Sequence, residues 1–109
     1  MPPERLDRLG HIRQALDTIE RFIDGKKRET FLSDEQLVLS IVRLLEIIGE
    51  AAKSLPEETT ARYPNVPWRE LARLRDKLIH GYFEVDNEIV WKIVSDDLPE
   101  IRRQLSAGQ

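Results

Sequence analysis

The chain has 109 residues, 40% of them hydrophobic and 34% charged, with a formal net charge of −3 at pH 7. That size suits one domain around one modest core, and the balance excludes a disordered polymer. No apolar run approaches the roughly 18 residues that a membrane span needs, and the lack of cysteine excludes disulfides and thiolate metal sites. The net negative charge gives no global attraction to nucleic acid, so RNA or DNA would have to meet a local basic patch in a salt-sensitive way. Met-Pro-Pro-Glu-Arg at the start lacks the apolar stretch of a signal peptide, and a cytoplasmic location is the expectation.

Helical periodicity dominates from end to end, with no convincing strand pattern. Leu6, Leu9, Ile12, Leu16, Ile19 and Ile23 recur at steps of three and four and predict a first helix from about Glu4 to Asp24. A basic turn at Gly25-Lys26-Lys27-Arg28 breaks it. Ser33 with Gln36 reads as a capping box opening a second helix, which Pro56 stops after Leu55. Leu37, Val38, Ile41, Leu44, Leu45, Ile48 and Ala52 cover a broad arc of that helix, and Arg43, Glu46, Glu50 and Lys53 share the opposite side. So wide an apolar surface suits a central helix, or one covered partly by another subunit.

Residues 56–67 read as a connector with one short helical turn at Glu57–Arg62. Pro67 opens a third helix, which runs to about His80, where Gly81 ends or loosens it. A fourth helix starts near Asp86 or Asn87 and runs to Leu105, with Val90, Val94, Leu98, Ile101 and Leu105 as its stripe and Trp91 beside it. Pro99 lies inside this pattern and should kink it. The fold class is therefore all-α, an antiparallel bundle of four-helix type in a single domain over residues 1–109.

The chemistry concentrates at the end of the third helix, in Arg75-Asp76-Lys77-Leu78-Ile79-His80 and Tyr82. This Arg-x4-His-x-Tyr string places a permanent cation, an imidazole that exchanges protons near neutral pH and a phenol within about two helical turns. On a helical wheel Arg69, Arg73, Asp76, Lys77 and His80 share the polar side, a patch suited to phosphate. Asp76 and His80 are four apart, so a carboxylate could orient the ring and favour its protonated form. Arg75 falls on the apolar side, where an unpaired guanidinium is costly. Glu46 and Glu50 are its candidate partners. Arg75 and His80 are about 140° apart on an ideal helix. They converge on one substrate only if the helix distorts near Gly81 or a second subunit completes the site.

Residue types alone favour a plainer meaning. An Arg and a His on one helix are most often a salt bridge and a solvated side chain, a basic helix face is most often surface, and Tyr82 suits a core aromatic with a wet hydroxyl. His11 and Asp7 read as a surface pair. Two histidines without a Glu-x-x-His give no basis for a di-iron or zinc site. Neither a Gly-rich phosphate loop nor a Gly-x-Ser-x-Gly elbow is present.

Several segments in a fixed order change that balance. They are Ile47-Ile48-Gly49-Glu50-Ala51-Ala52-Lys53, Val66-Pro67-Trp68, the string from Arg75 through Gly81 to Tyr82, and Ile89-Val90-Trp91-Lys92-Ile93-Val94 with Asp97-Leu98-Pro99. Together they resemble the HepT family of HEPN-domain proteins, over about Leu6 to Leu105. The resemblance implies a helical, dimeric, metal-independent ribonuclease with no cofactor, the toxin of a type II toxin–antitoxin system. It implies that Arg75 and His80 are the catalytic pair, supported by Asp76, with Arg69, Arg73 and Lys77 near the RNA. It further implies that an antitoxin of the minimal nucleotidyltransferase (MNT) type adenylylates Tyr82 and so blocks the enzyme. Two other classes stay open: a non-catalytic HEPN module that binds a nucleotidyltransferase, a nucleotide or RNA, and a purely structural helical dimer.

Overall fold

The computed structural model describes residues 7–80 and 84–107. Helix α1 spans Arg8–Ile23. The Asp7 carboxylate accepts a hydrogen bond from the Gly10 N–H at 3.0 Å, filling one of the donors that a helix start leaves open. Asp7 is thus the N-cap of α1, and it forms no ion pair with His11 among the described residues. Gly25 ends the segment with φ of +74°, a left-handed backbone that side chains disfavour.

A short helix, α2 (Arg28–Leu32), follows where the sequence suggests only a turn. Five residues are too few to display a period, so it has no sequence signature. Its Phe31 is fully buried and packs against the Trp91 ring at 5.1 Å between centroids. Helix α3 then spans Glu35–Lys53. The expected capping box at Ser33 is not formed. Ser33 closes α2, its hydroxyl donating to the Thr30 carbonyl, and Asp34 caps α3 by accepting from the Leu37 N–H at 3.1 Å. An ionised carboxylate is a good acceptor at a helix N-terminus, and the α2 turn already occupies Ser33.

Helix α3 lies at the centre. It packs against α1 on one side and meets three later helices, α5 (Trp68–Ala72), α6 (Leu74–Leu78) and α7 (Asn87–Lys92), elsewhere on its surface. This accounts for its broad apolar arc. Between α3 and α5 comes α4 (Glu57–Ala61), just after Pro56. The following loop is pinned by buried Tyr63 and Val66, neither distinguished by any period. Arg13 donates to the Tyr63 hydroxyl at 2.9 Å, and the Trp68 indole N–H donates to the Tyr63 carbonyl at 3.0 Å.

The C-terminal helix begins with α7, capped by Asp86, whose carboxylate accepts from the Glu88 and Ile89 N–H groups. It passes through a π-helical turn at Ile93–Asp97 into α8 (Leu98–Ala107). Pro99 has no N–H to offer the preceding turn. The widened turn, in which the Leu98 N–H reaches the Ile93 carbonyl, takes up that irregularity. Ile12, Leu16 and Ile19 of α1, Ile41, Leu45 and Ile48 of α3, Leu71, Leu74 and Leu78, and the stripe from Val90 to Leu105 form one contiguous core. The molecule is an all-α helical bundle. Among the described residues its one sheet is a two-residue antiparallel ladder, β1 (Ile79–His80) with β2 (Glu84–Val85). No described helix is long and apolar enough to cross a membrane.

Candidate functional site

The segment expected as one helix from Pro67 to His80 is divided. Arg73 forms a tight turn, its N–H bonded to the Glu70 carbonyl, and separates α5 from α6. Helix α6 then stops at Leu78, two residues short of the histidine. Ile79 and His80 are extended, with Ile79 opposite Val85 and His80 opposite Glu84. The Leu78 carbonyl is met by the Asp86 N–H at 3.3 Å, so the returning chain satisfies an acceptor that the helix end leaves open. A β-branched residue such as Ile79 is well suited to this extended step.

A close approach between helices coincides with the break. Gly49 of α3 is buried against the α5 backbone, and a β-carbon there would lie 3.1 Å from the Leu71 carbonyl oxygen and 3.9 Å from that of Ala72. The hydrogen in place of a side chain lets α3 approach the carbonyl end of α5 closely. Leu74 and Leu78 then bury the inner side of α6.

Arg75 lies on the other side of α6 and is not buried. Its side chain is 66% exposed, and its Nε is 3.5 Å from an oxygen of Glu46, itself only 23% exposed. The expectation of a buried arginine is corrected here. The break at Arg73 re-phases α6 relative to an unbroken helix, so the guanidinium reaches the rim of α3 rather than the core. Glu46 is its partner, whereas Glu50 is exposed and forms no ion pair among the described residues. Arg43, which no motif singles out, lies 3.9 Å from the other Glu46 oxygen. Its signal in the sequence is the i,i+3 spacing from Glu46.

The other expected residues fall out as follows. Arg69, Arg73, Asp76 and Lys77 are exposed and form no ion pair among the described residues. Lys77 lines a cleft of about 420 Å³ between α5–α6 and the π turn, which Glu70, Asp96 and Asp97 also line. Those carboxylates make it an unfavourable place for phosphate, and Arg75 is not among its lining residues. Because His80 is extended, the helical i,i+4 geometry that would bring Asp76 to His80 is not the one the backbone adopts. Tyr82 and Gly81 lie outside the described residues. Among the described residues, no group of three His, Cys, Asp or Glu side chains is arranged to hold a metal ion. The resolved pKa shifts belong to two residues of α8. A hydrogen bond from Arg103 holds the exposed Glu100 carboxyl below its ordinary value, and the same bond raises that of Arg103.

The profile of a family described as ribonuclease HepT-like matches residues 12–107, nearly the whole described bundle and all of the Arg75–His80 string. The chain belongs to the ribonuclease HepT-like family. This HepT-like chain is 45% identical, over 88% of its length and 87% of the relative's, to "Probable ribonuclease HepT" of Thermococcus cleftensis. It is 42% identical, over 89% of its length and 87% of the relative's, to a "Putative RNase" of Caldanaerobacter subterraneus subsp. tengcongensis. It is 40% identical, over 85% of its length and 77% of the relative's, to a "Putative RNase" of Methanocaldococcus jannaschii. No solved structure matches it. In this HepT-like bundle, the described part of the motif straddles the end of α6 and the β1 strand step.

Proposed function

We propose that the protein is a metal-independent endoribonuclease acting as the toxin of a type II toxin–antitoxin system, with Arg75 and His80 as its catalytic residues. The observation that carries this reading is the family match over residues 12–107, which includes the complete Arg-x4-His string. The ribonuclease names of relatives at 40–45% identity support it. So does the guanidinium of Arg75, which is 66% exposed although its Nε faces Glu46.

In this mechanism His80 takes the proton from an RNA 2′-hydroxyl, and that oxygen attacks the adjacent phosphorus. The bond from phosphorus to the 5′-oxygen breaks, and the leaving oxygen takes a proton from an imidazolium, supplied by His80 of the partner subunit. Arg75 stabilises the extra negative charge on the phosphate in the transition state. Asp76 supports the site beside Arg75, and the exposed Arg69 and Arg73 hold the flanking strand, with Lys77 the weakest of the three expected contacts because carboxylates share its cleft. The products are a 2′,3′-cyclic phosphate and a free 5′-hydroxyl, and DNA is not cut because it lacks the nucleophile. The whole chain, residues 1–109, acts as one HEPN-like domain in a cytoplasmic homodimer. Leu39, 59% exposed on α3, is the kind of apolar surface that a second copy would cover.

An MNT-type nucleotidyltransferase antitoxin adenylylates Tyr82, two residues from His80. The added AMP brings bulk and a negative phosphodiester, which repel RNA phosphate and fill the site. Cleavage of RNA in the presence of a chelator tests the enzyme reading, comparing wild type with His80→Ala, each free of AMP by intact mass. Cutting by wild type alone is expected. No cutting by unmodified wild type would instead support a module that binds RNA or the nucleotidyltransferase without catalysis.

A further inference from the structure

We infer that Arg43 of α3 is a second phosphate-binding residue of the RNA site, contacting the phosphate next to the one held by Arg75. The inference rests on the ribonuclease reading above. Arg43 and Arg75 come from different helices, yet they meet at the two oxygens of one carboxylate. Arg43 Nη1 is 3.9 Å from Glu46 Oε1, and Arg75 Nε is 3.5 Å from Glu46 Oε2. These three side chains together carry a charge of +1, on a chain whose overall charge is −3. The shared carboxylate offsets part of the repulsion between the two guanidinium groups.

Exposure separates the anchor from the ligating groups. Glu46 is 23% exposed and sits on the central helix, so its position is fixed by packing. Arg43 and Arg75 are 68% and 66% exposed. An exposed ion pair at 3.9 Å is loose and holds its partner weakly. Arg43 therefore keeps most of its donors for a ligand, and the planar fork of a guanidinium matches phosphate oxygens. The cleft beside Lys77 cannot serve the same purpose, because carboxylates crowd its walls. An RNA strand that reaches Arg75 is drawn along the rim of α3, toward Arg43, by the sign of the charge.

The test uses the full chain carrying His80→Ala, so that binding is read without cleavage. Anisotropy of a short fluorescein-labelled single-stranded RNA is followed over a salt series. Each lost phosphate contact on a single strand lowers the slope of log K against log salt by about 0.7, or about fivefold in affinity near 0.1 M salt. Arg43→Ala is expected to lose that increment, and Arg43→Lys to keep most of it. Arg21→Ala, the same change of charge on exposed α1, is expected to leave the slope unchanged. An unchanged slope in Arg43→Ala overturns the inference while leaving the ribonuclease reading intact. An equal loss in Arg21→Ala also overturns it, because net charge would then suffice. An altered sedimentation coefficient with an unchanged slope would assign Arg43 to a contact between copies, again against the inference. No RNA binding by the parent protein would sink both readings.

Discussion

Substitution of Gly49 sets two effects of known sign against each other. In an open helix, Gly→Ala stabilises by about 1 kcal/mol through backbone entropy. Here the added β-carbon would sit 3.1 Å from the Leu71 carbonyl oxygen and 3.7 Å from the Leu74 β-carbon. The first distance is tighter than ordinary contact, and the atom it meets is backbone that cannot rotate away. Overpacking of this kind costs about 1–3 kcal/mol. Gly49→Ala is therefore expected to lie between no change and about 2 kcal/mol of destabilisation, the propensity gain being consumed. Gly49→Val, with two further carbons and poorer helix propensity, is expected to cost about 3 kcal/mol or more. The assay is urea unfolding followed by circular dichroism, with the m-value checked for constancy. A rise in stability by the full ~1 kcal/mol in Gly49→Ala would refute the reasoning, since α5 would then not be held against α3 at this point. A valine side chain at position 49 would push α5 and α6 off α3 and Arg75 away from Glu46, so RNA cleavage by a folded Gly49→Val protein is expected to fall as well.

Two further expectations come from the fold and two from the proposed mechanism. Asp34→Ala should cost about 1 kcal/mol in the same urea assay and Ser33→Ala clearly less, because Asp34 is the cap of α3; the reverse order would restore the capping box. Phe31→Ala should cost about 3–5 kcal/mol, since the ring is fully buried against Trp91. A small effect would mean that α2 detaches without disturbing the bundle. RNA cleavage should show a bell-shaped pH dependence, falling at low pH as the basic imidazole protonates and at high pH as the acidic one loses its proton. A rate that only rises with pH would remove the general acid from the mechanism. Tyr82→Phe should retain ribonuclease activity and escape the antitoxin, and an AMP adduct on that variant, seen by mass spectrometry, would place the modification elsewhere.

Much of the bundle is legible because its long helices repeat one apolar period many times. Leu16, Ile19, Ile41, Leu45, Ile48, Val90, Val94, Leu98 and Leu105 are all read correctly as core from spacing alone. Short elements carry no such redundancy. Helix α2 offers five residues, and Phe31 is buried because Trp91 comes to it from far along the chain. The break at Arg73 is invisible for a related reason. Nothing in Leu71-Ala72-Arg73-Leu74 opposes a helix, and the close approach of Gly49 on another helix coincides with it.

The all-α class, the long helices and their inward faces, and the family are written in the chain itself, through segments whose order is as informative as their residues. So is the presence of a cation, an imidazole and a phenol on one stretch of chain. Where that stretch stops being helical and which way Arg75 faces depend on tertiary packing. So does the meeting of Arg43 and Arg75 at the one carboxylate of Glu46. Periodicity reports how a helix meets a core. The end of a helix and the pairing of charges across two helices depend on what the rest of the chain places beside them, and no local spacing encodes that.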